Sequence, residues 1–233
     1  MLKKIQSEIK KLKNPVKAKI LQGFFKTGKG QYGEGDVFLG ITVPKQRLVA
    51  KKYSGDITLA DLDKLIKSPV HEQRLIALLI LVDKFRRSNE KLQKKIYNFY
   101  LAHTKYINNW DLVDLSADKI VGAYLEDRDR SVLLKLARSK SLWERRIAIL
   151  STFHYIKRGQ AKWTLKLATM LLKDEHDLIH KATGWMLREV GKRCGQKVLT
   201  DFLNKHYKQR PRTMLRYAIE RLPINLKKRF LAK

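Results

Sequence analysis

The stretch "ERRIAILSTF", residues 144–153, sets two cations ahead of a run of small and branched apolar residues. A charged or polar residue leads a similar run in "EQRLIALLIL" (72–81), "NWDLVDLSA" (109–117), "HKATGWMLRE" (180–189) and "RTMLRYAIERL" (212–222). Anchored on Arg74, Asp111, Arg146, Lys181 and Arg216, these units stand 37, 35, 35 and 35 residues apart. That period suits two short helices and their turns, stacked as an α-solenoid of the HEAT or armadillo kind. Nearly every segment after residue 55 has helical periodicity, and alternating strand patterns are missing. The expected fold is all-α, a single domain over residues 1–233. Equivalent positions of such a solenoid converge in space, so Arg146, Trp185 and the Trp110–Asp114 pair, near-equivalent in the repeat, are expected to converge.

The chain carries 51 Lys and Arg against 22 Asp and Glu, a formal charge of +29. The excess runs from Lys3 to Lys233 instead of gathering in a tail. This points to a folded polyanion binder, with DNA or RNA as first candidate and an anionic membrane surface second. The lone Cys194 excludes an intramolecular disulfide framework and fits a reducing compartment. The start, "MLKKIQSEIKKLKNP", reads as an amphipathic helix with Leu2, Ile5, Ile9 and Leu12 on one face. It lacks the continuous apolar core of a signal peptide, and a docked N-terminal helix is expected. No stretch reaches the length of a membrane span.

Several motifs are set aside on their context. "GKGQYGEG" satisfies G-x-G-x-x-G through Gly28, Gly30 and Gly33, but it follows the helical "AKILQGFFK" and lacks a βαβ unit. It reads as a glycine-rich surface loop that approaches a phosphate backbone. His176 and His180 have the i, i+4 spacing of zinc ligands, yet no glutamate follows the first and no third ligand is near. They read as solvated helix histidines, and no metal or other cofactor is called for. Cys194 has no base partner and reads as structural, and Ser116 lies outside any strand–turn–helix elbow.

What remains is one helix and one stripe. Asn109 is suited to cap a helix on which Trp110 and Asp114, four apart, share a face. Its apolar stripe is Val113, Ala117, Ile120 and Tyr124. Asp111 and Asp118 read as capping or solvated charges, and Trp143 and Trp163 as core. Farther on, Lys181, Trp185, Arg188 and Lys192 fall at i, i+4, i+7 and i+11, a basic stripe with an aromatic set into it. That is the pattern of a surface tracking a nucleic-acid backbone. Gly184 costs its helix about 1 kcal/mol relative to alanine, so close approach of another element or a ligand is expected there. In "WERR", Arg145 and Arg146 begin a helix whose residues 147–150 face the core.

Taken together and in order, "GEGDVFLGITVPKQR", "NNWDLVD", "LWERRIAIL" and "KATGWMLREVGKR" resemble the AlkD-type DNA alkylation repair enzymes, over nearly the whole chain. The resemblance implies a HEAT-like repeat DNA glycosylase for N3- and N7-alkylated purines. The family's catalytic constellation falls on Trp110, Asp114, Trp185 and Arg146. A first-repeat aromatic, tyrosine in some members, falls on Phe24, which lacks the hydroxyl. The long glycine loop is not universal among members. Catalysis against the DNA backbone, without a snug base pocket, is also implied.

The expectation is thus a curved right-handed superhelix of HEAT-like repeats with a basic concave face that cradles duplex DNA. It would excise 3-methyladenine- or 7-methylguanine-type bases as a monofunctional glycosylase and leave an abasic site. Phe24, Arg145, Lys181, Arg188 and Lys192 would contact the DNA. The expected form is a monomer in a bacterial-type cytoplasm, associated with the nucleoid and not with membrane. A non-catalytic HEAT-like nucleic-acid-binding module is the alternative from another class. A membrane-surface scaffold rests only on the charge and the N-terminal helix.

Overall fold

The computed structural model describes residues 1–206, 209 and 211–232. Helices account for the secondary structure, and an isolated parallel bridge, Val37 with Val70, is the extent of β pairing among the described residues. Contacts gather into two compact units, Met1–Ser116 and Ala117–Lys233. None of the described helices is long and apolar enough to cross a membrane.

The first unit holds α1 (Leu2–Lys11), α2 (Pro15–Phe24), α3 (Val43–Tyr53) and α4 (Leu59–Ile66). It continues with α5 (His71–Arg87), α6 (Glu90–Ala102) and α7 (Trp110–Asp114). The N-terminal helix is docked as expected: Ile5 and Ile9 are fully buried, and Glu8 accepts hydrogen bonds from Lys52 and Tyr53 at the end of α3. The middle of α5 is a run of buried apolar residues, Leu75–Leu78 with Ile80 and Leu81, so this helix forms the spine of the unit, packed by α3 and α4. By contrast α2, started by Asn14 capping the Lys17 amide with Pro15 in the first turn, buries only Ala18.

The second unit holds α8 (Ser131–Ala137), α9 (Leu142–Ser151), α10 (Phe153–Ile156) and α11 (Lys162–Met170). After them come α12 (Asp177–Arg193), α13 (Gln196–Lys205), α14 (Arg212–Ile219) and α15 (Ile224–Ala232). The long α12 is its spine, packed by α9, α11, α13 and α14. Gly184 is the close approach the sequence called for: a Cβ there would stand 2.4 Å from the Met214 carbonyl oxygen on α14. Trp143 is buried as expected, whereas Trp163 is half-buried with the Lys166 ammonium 4.8 Å from its ring centre.

The recurring anchors Arg74, Asp111, Arg146, Lys181 and Arg216 fall on α5, α7, α9, α12 and α14, so the 35-residue period is a period of helices. One expectation at Trp110 needs correction. The helix does not run unbroken from Asn109 to Tyr124; α7 ends at Asp114, and a wide π-type turn over Asp118–Gly122 follows. The Ser116 hydroxyl donates to the Leu112 carbonyl, and the Ser116 amide turns to Val113 instead. Such a back-bond competes with the helical ladder and bends it. At the far end of the turn Gly122 meets α9, where a Cβ would lie 2.2 Å from the Ser151 carbonyl oxygen. The intended apolar stripe nevertheless holds, since Val113, Ala117, Ile120 and Tyr124 are all buried.

Candidate active site

Trp110 opens α7. Asn109, itself buried, caps the helix by accepting from the Trp110 amide at 2.8 Å, as its sequence position predicts. The indole is half-buried and stacks on Phe25, with ring centres 5.0 Å apart and planes 14° from parallel. Phe24 stands edge-on to it at 5.9 Å and is 62 % exposed, so its ring forms an open aromatic wall beside Trp110. Asp114, one turn on, is half-buried. Phe24, Trp110 and Asp114 therefore all belong to the first unit.

Behind Trp110 lies a group of charges that the sequence reading missed. His71 is buried with both ring nitrogens facing carboxylates: Nδ1 lies 3.0 Å from Asp36 and Nε2 2.9 Å from Asp111. With both carboxylates ionised, the ring donates from both nitrogens as an imidazolium. Arg74 closes the set, its Nη2 2.6 Å from the other Asp36 oxygen. Two cations thus offset two anions in a buried space, which is what such burial demands. Burial works against the His71 charge, but the bonds to Asp111 and Asp36 outweigh it and lift the imidazole above its usual range. Burial likewise opposes ionisation of Asp36, yet the His71 bond and the Arg74 charge hold it below the usual carboxylate range. Phe38 stacks on the His71 ring at 4.4 Å and Phe25 tilts against it at 5.2 Å, carrying the packing on to Trp110.

Asp111 is consequently not a solvated charge. It caps the Leu112 amide at 2.9 Å with one oxygen and holds His71 with the other. Asp118 is buried too, bonded to Lys119 at 3.0 Å and Lys157 at 2.7 Å. A signal for the first correction was present. Arg74 and Asp111 are equivalent anchors of the repeat, and His71 sits one turn before Arg74 on the same helix.

The remaining proposed site residues lie in the second unit. Arg146 is buried, and its Nη1 donates to the Leu178 carbonyl at 2.6 Å, tying α9 to the start of α12. Arg145 bonds Asp174 at 2.6 Å and the carbonyls of Ser139 and Lys140, so its guanidinium is engaged in joining loops. Trp185 is half-buried on α12 with its ring centre 6.0 Å from Phe153, whose ring in turn carries the Lys157 ammonium at 4.7 Å. Along the expected stripe, Lys181 pairs with Asp177 at 2.7 Å, Arg188 pairs with Glu220, and Lys192 is exposed.

The set-aside motifs also acquire structural roles. His176 and His180 are half-buried rather than solvated: His176 accepts from the Leu178 amide as the cap of α12, and His180 bonds the Asp174 carbonyl. Among the described residues no group of three or more His, Cys, Asp or Glu could hold a metal ion. Burial pushes the half-buried Cys194 thiol above its usual range, away from the thiolate a nucleophile requires. The glycine loop closes on itself, with Gly28 donating to Gln31, Gly30 to Glu34 and Gly33 to the Lys26 carbonyl. These three amides are engaged within the loop.

The family model for DNA alkylation repair enzymes matches residues 5–222. The chain belongs to that family, and DNA alkylation repair is its family function. Among solved structures it is similar to one described as a predicted DNA alkylation repair enzyme from Enterococcus faecalis. The two share 18 % identity and superpose with a TM-score of 0.69, over 91 % of this chain and 97 % of the other, so they share an all-α helical repeat fold. No curated protein matches the chain.

Proposed function

We propose that the protein is a monofunctional DNA glycosylase that hydrolyses the N-glycosidic bond of cationic N3- and N7-alkylated purines in duplex DNA, leaving an abasic site. The observation that carries this reading is the pairing of a half-buried carboxylate, Asp114, with a fixed and partly open indole, Trp110, at the head of one short helix. Ordinary glycoside hydrolysis needs two carboxyl groups because one must protonate the leaving group. An N3- or N7-alkylated purine already carries the positive charge, so one carboxylate suffices. Asp114 stabilises the oxocarbenium-like sugar and orients water. Trp110 and Trp185 attract the cationic sugar or base through their ring faces, each contact contributing roughly 0.5–2 kcal/mol according to desolvation. Arg146, bound to the Leu178 carbonyl, acts by keeping α9 in place against α12. Phe24 adds its ring beside Trp110, while Arg145, Lys181, Arg188 and Lys192 supply positive charge toward phosphates. The working form is a monomer on nucleoid DNA in the cytoplasm.

A preorganised group that acts mainly in the transition state shows in the rate, not in ground-state affinity. Asp114→Asn is therefore expected to slow single-turnover release of a 7-alkylpurine by about 100-fold. Its binding to undamaged duplex should be equal or slightly tighter, because a negative charge near phosphates is gone. An unchanged release rate would leave a HEAT-like DNA-binding module as the better reading.

A further inference from the structure

Beside the buried charges of the first unit lies a cavity of about 140 Å³ that the proposed reaction does not use. Its walls include the stacked rings of Phe25 and Phe38 together with Ile20 and Ile41. An apolar cavity of about 150 Å³ is large enough to take benzene. Of the charged groups on its lining, Lys17 is exposed to solvent and the others are engaged within the fold. His71 and Asp111 are bonded to each other, and Glu72 accepts the amides of Leu39, Gly40 and Ile41 at 2.8–3.2 Å. Gln46 differs. It is 3 % exposed and lines the cavity; its Nε2 donates to the Ile41 carbonyl at 2.7 Å, and its Oε1 has no partner. A buried acceptor left unpaired carries a desolvation penalty that a donor would remove.

We propose that this cavity is a binding site for a small neutral aromatic molecule carrying one N–H or O–H donor. Its ring lies among Phe25, Phe38 and Ile41, and its donor reaches Oε1 of Gln46. The walls are chiefly apolar, so a charged ligand would lose its hydration on entering at a cost that a neutral one avoids. Phe25 also stacks on Trp110, so the occupant adjoins the candidate active site without being part of the excision chemistry.

Phenol and toluene, nearly equal in shape, isolate the donor. Titration of the full chain by ligand-observed NMR should show saturable phenol binding. The ratio of phenol to toluene affinity should fall about tenfold in Gln46→Met, the loss expected for one hydrogen bond to a buried acceptor. Val43→Phe, which fills the cavity from the start of α3, should abolish binding of both and stands as the independent test if Gln46→Met proves unstable. The proposal is overturned if phenol does not bind saturably, if the ratio is unchanged in Gln46→Met, or if phenol binds Val43→Phe as it binds the parent chain.

Discussion

Removing one carboxylate from the set around His71 leaves a buried imidazolium and a buried guanidinium facing a single anion. Breaking a buried ionic set in this way typically costs about 3–5 kcal/mol. Asp111→Asn should destabilise the protein by an amount of that order, read from the urea midpoint, and should loosen the start of α7 with it. A loss below about 0.5 kcal/mol, the range of ordinary surface substitutions, would mean that Asp111 is solvated after all. The same set makes stability depend on pH in a defined window. His71 stands above its ordinary value of 6.5, so its contribution is complete below 6.5 and is lost as pH rises through the folded value. Asp36 stands below its ordinary 3.8, so its contribution is complete above 3.8 and is lost as pH falls through the folded value. Both contributions are in full force between those two ordinary values. Urea midpoints measured from pH 6 upward should therefore decline in the parent chain and lose that His71-dependent slope in His71→Gln. Parallel profiles would show that His71 is not charged in the fold.

Helix packing in the second unit turns on the absence of a side chain. Alanine at position 184 would gain about 1 kcal/mol of helix propensity over glycine. It would also drive a Cβ to 2.4 Å from the Met214 carbonyl and 2.6 Å from the Tyr217 Cβ, backbone-near atoms that cannot swing aside. Forcing apart a packed pair of helices costs roughly 1–3 kcal/mol. Gly184→Ala is therefore expected to be net destabilising by about 1 kcal/mol, a fall of a few degrees in Tm for a chain of this size. A raised Tm would show that α12 and α14 can separate freely. Trp185 is the next residue on α12, so the same contact governs where its indole stands.

A charge of +29 exceeds anything the internal ion pairs can absorb, since each pair consumes one cation and one of only 22 acidic residues. Association with DNA should then be dominated by counterion release and be largely indifferent to sequence. If about 6–8 phosphates are neutralised, log K should fall with log salt at a slope near −5 to −7. Affinity nearly constant between low and physiological salt would be incompatible with this mode. Lys181 and Arg188 already have acidic partners, so a phosphate at either would have to replace one anion with another. Lys181→Ala or Arg188→Ala should accordingly weaken binding only modestly, and equally across sequences.

Local signals sufficed for much of this molecule. Helical periodicity, the Asn109 cap, the docking of Ile5 and Ile9, and the close approach at Gly184 each depend on residues within a turn or two of one another, and the 35-residue recurrence is such a local pattern repeated along the chain. Trp110 and Asp114 were legible in the same way, as two positions on one helix face. The charge on Asp111 was not, because its meaning depends on Asp36 and His71, which lie 75 and 40 residues away in the chain. Nor could sequence spacing reveal that Asp174 would hold Arg145, that Ser116 would break the helix after Asp114, or that the glycine loop would consume its own amides. A charged residue reads alike in sequence whether it meets water or an opposite charge in a dry interior. Only the packing of distant segments decides which, because only packing removes the water.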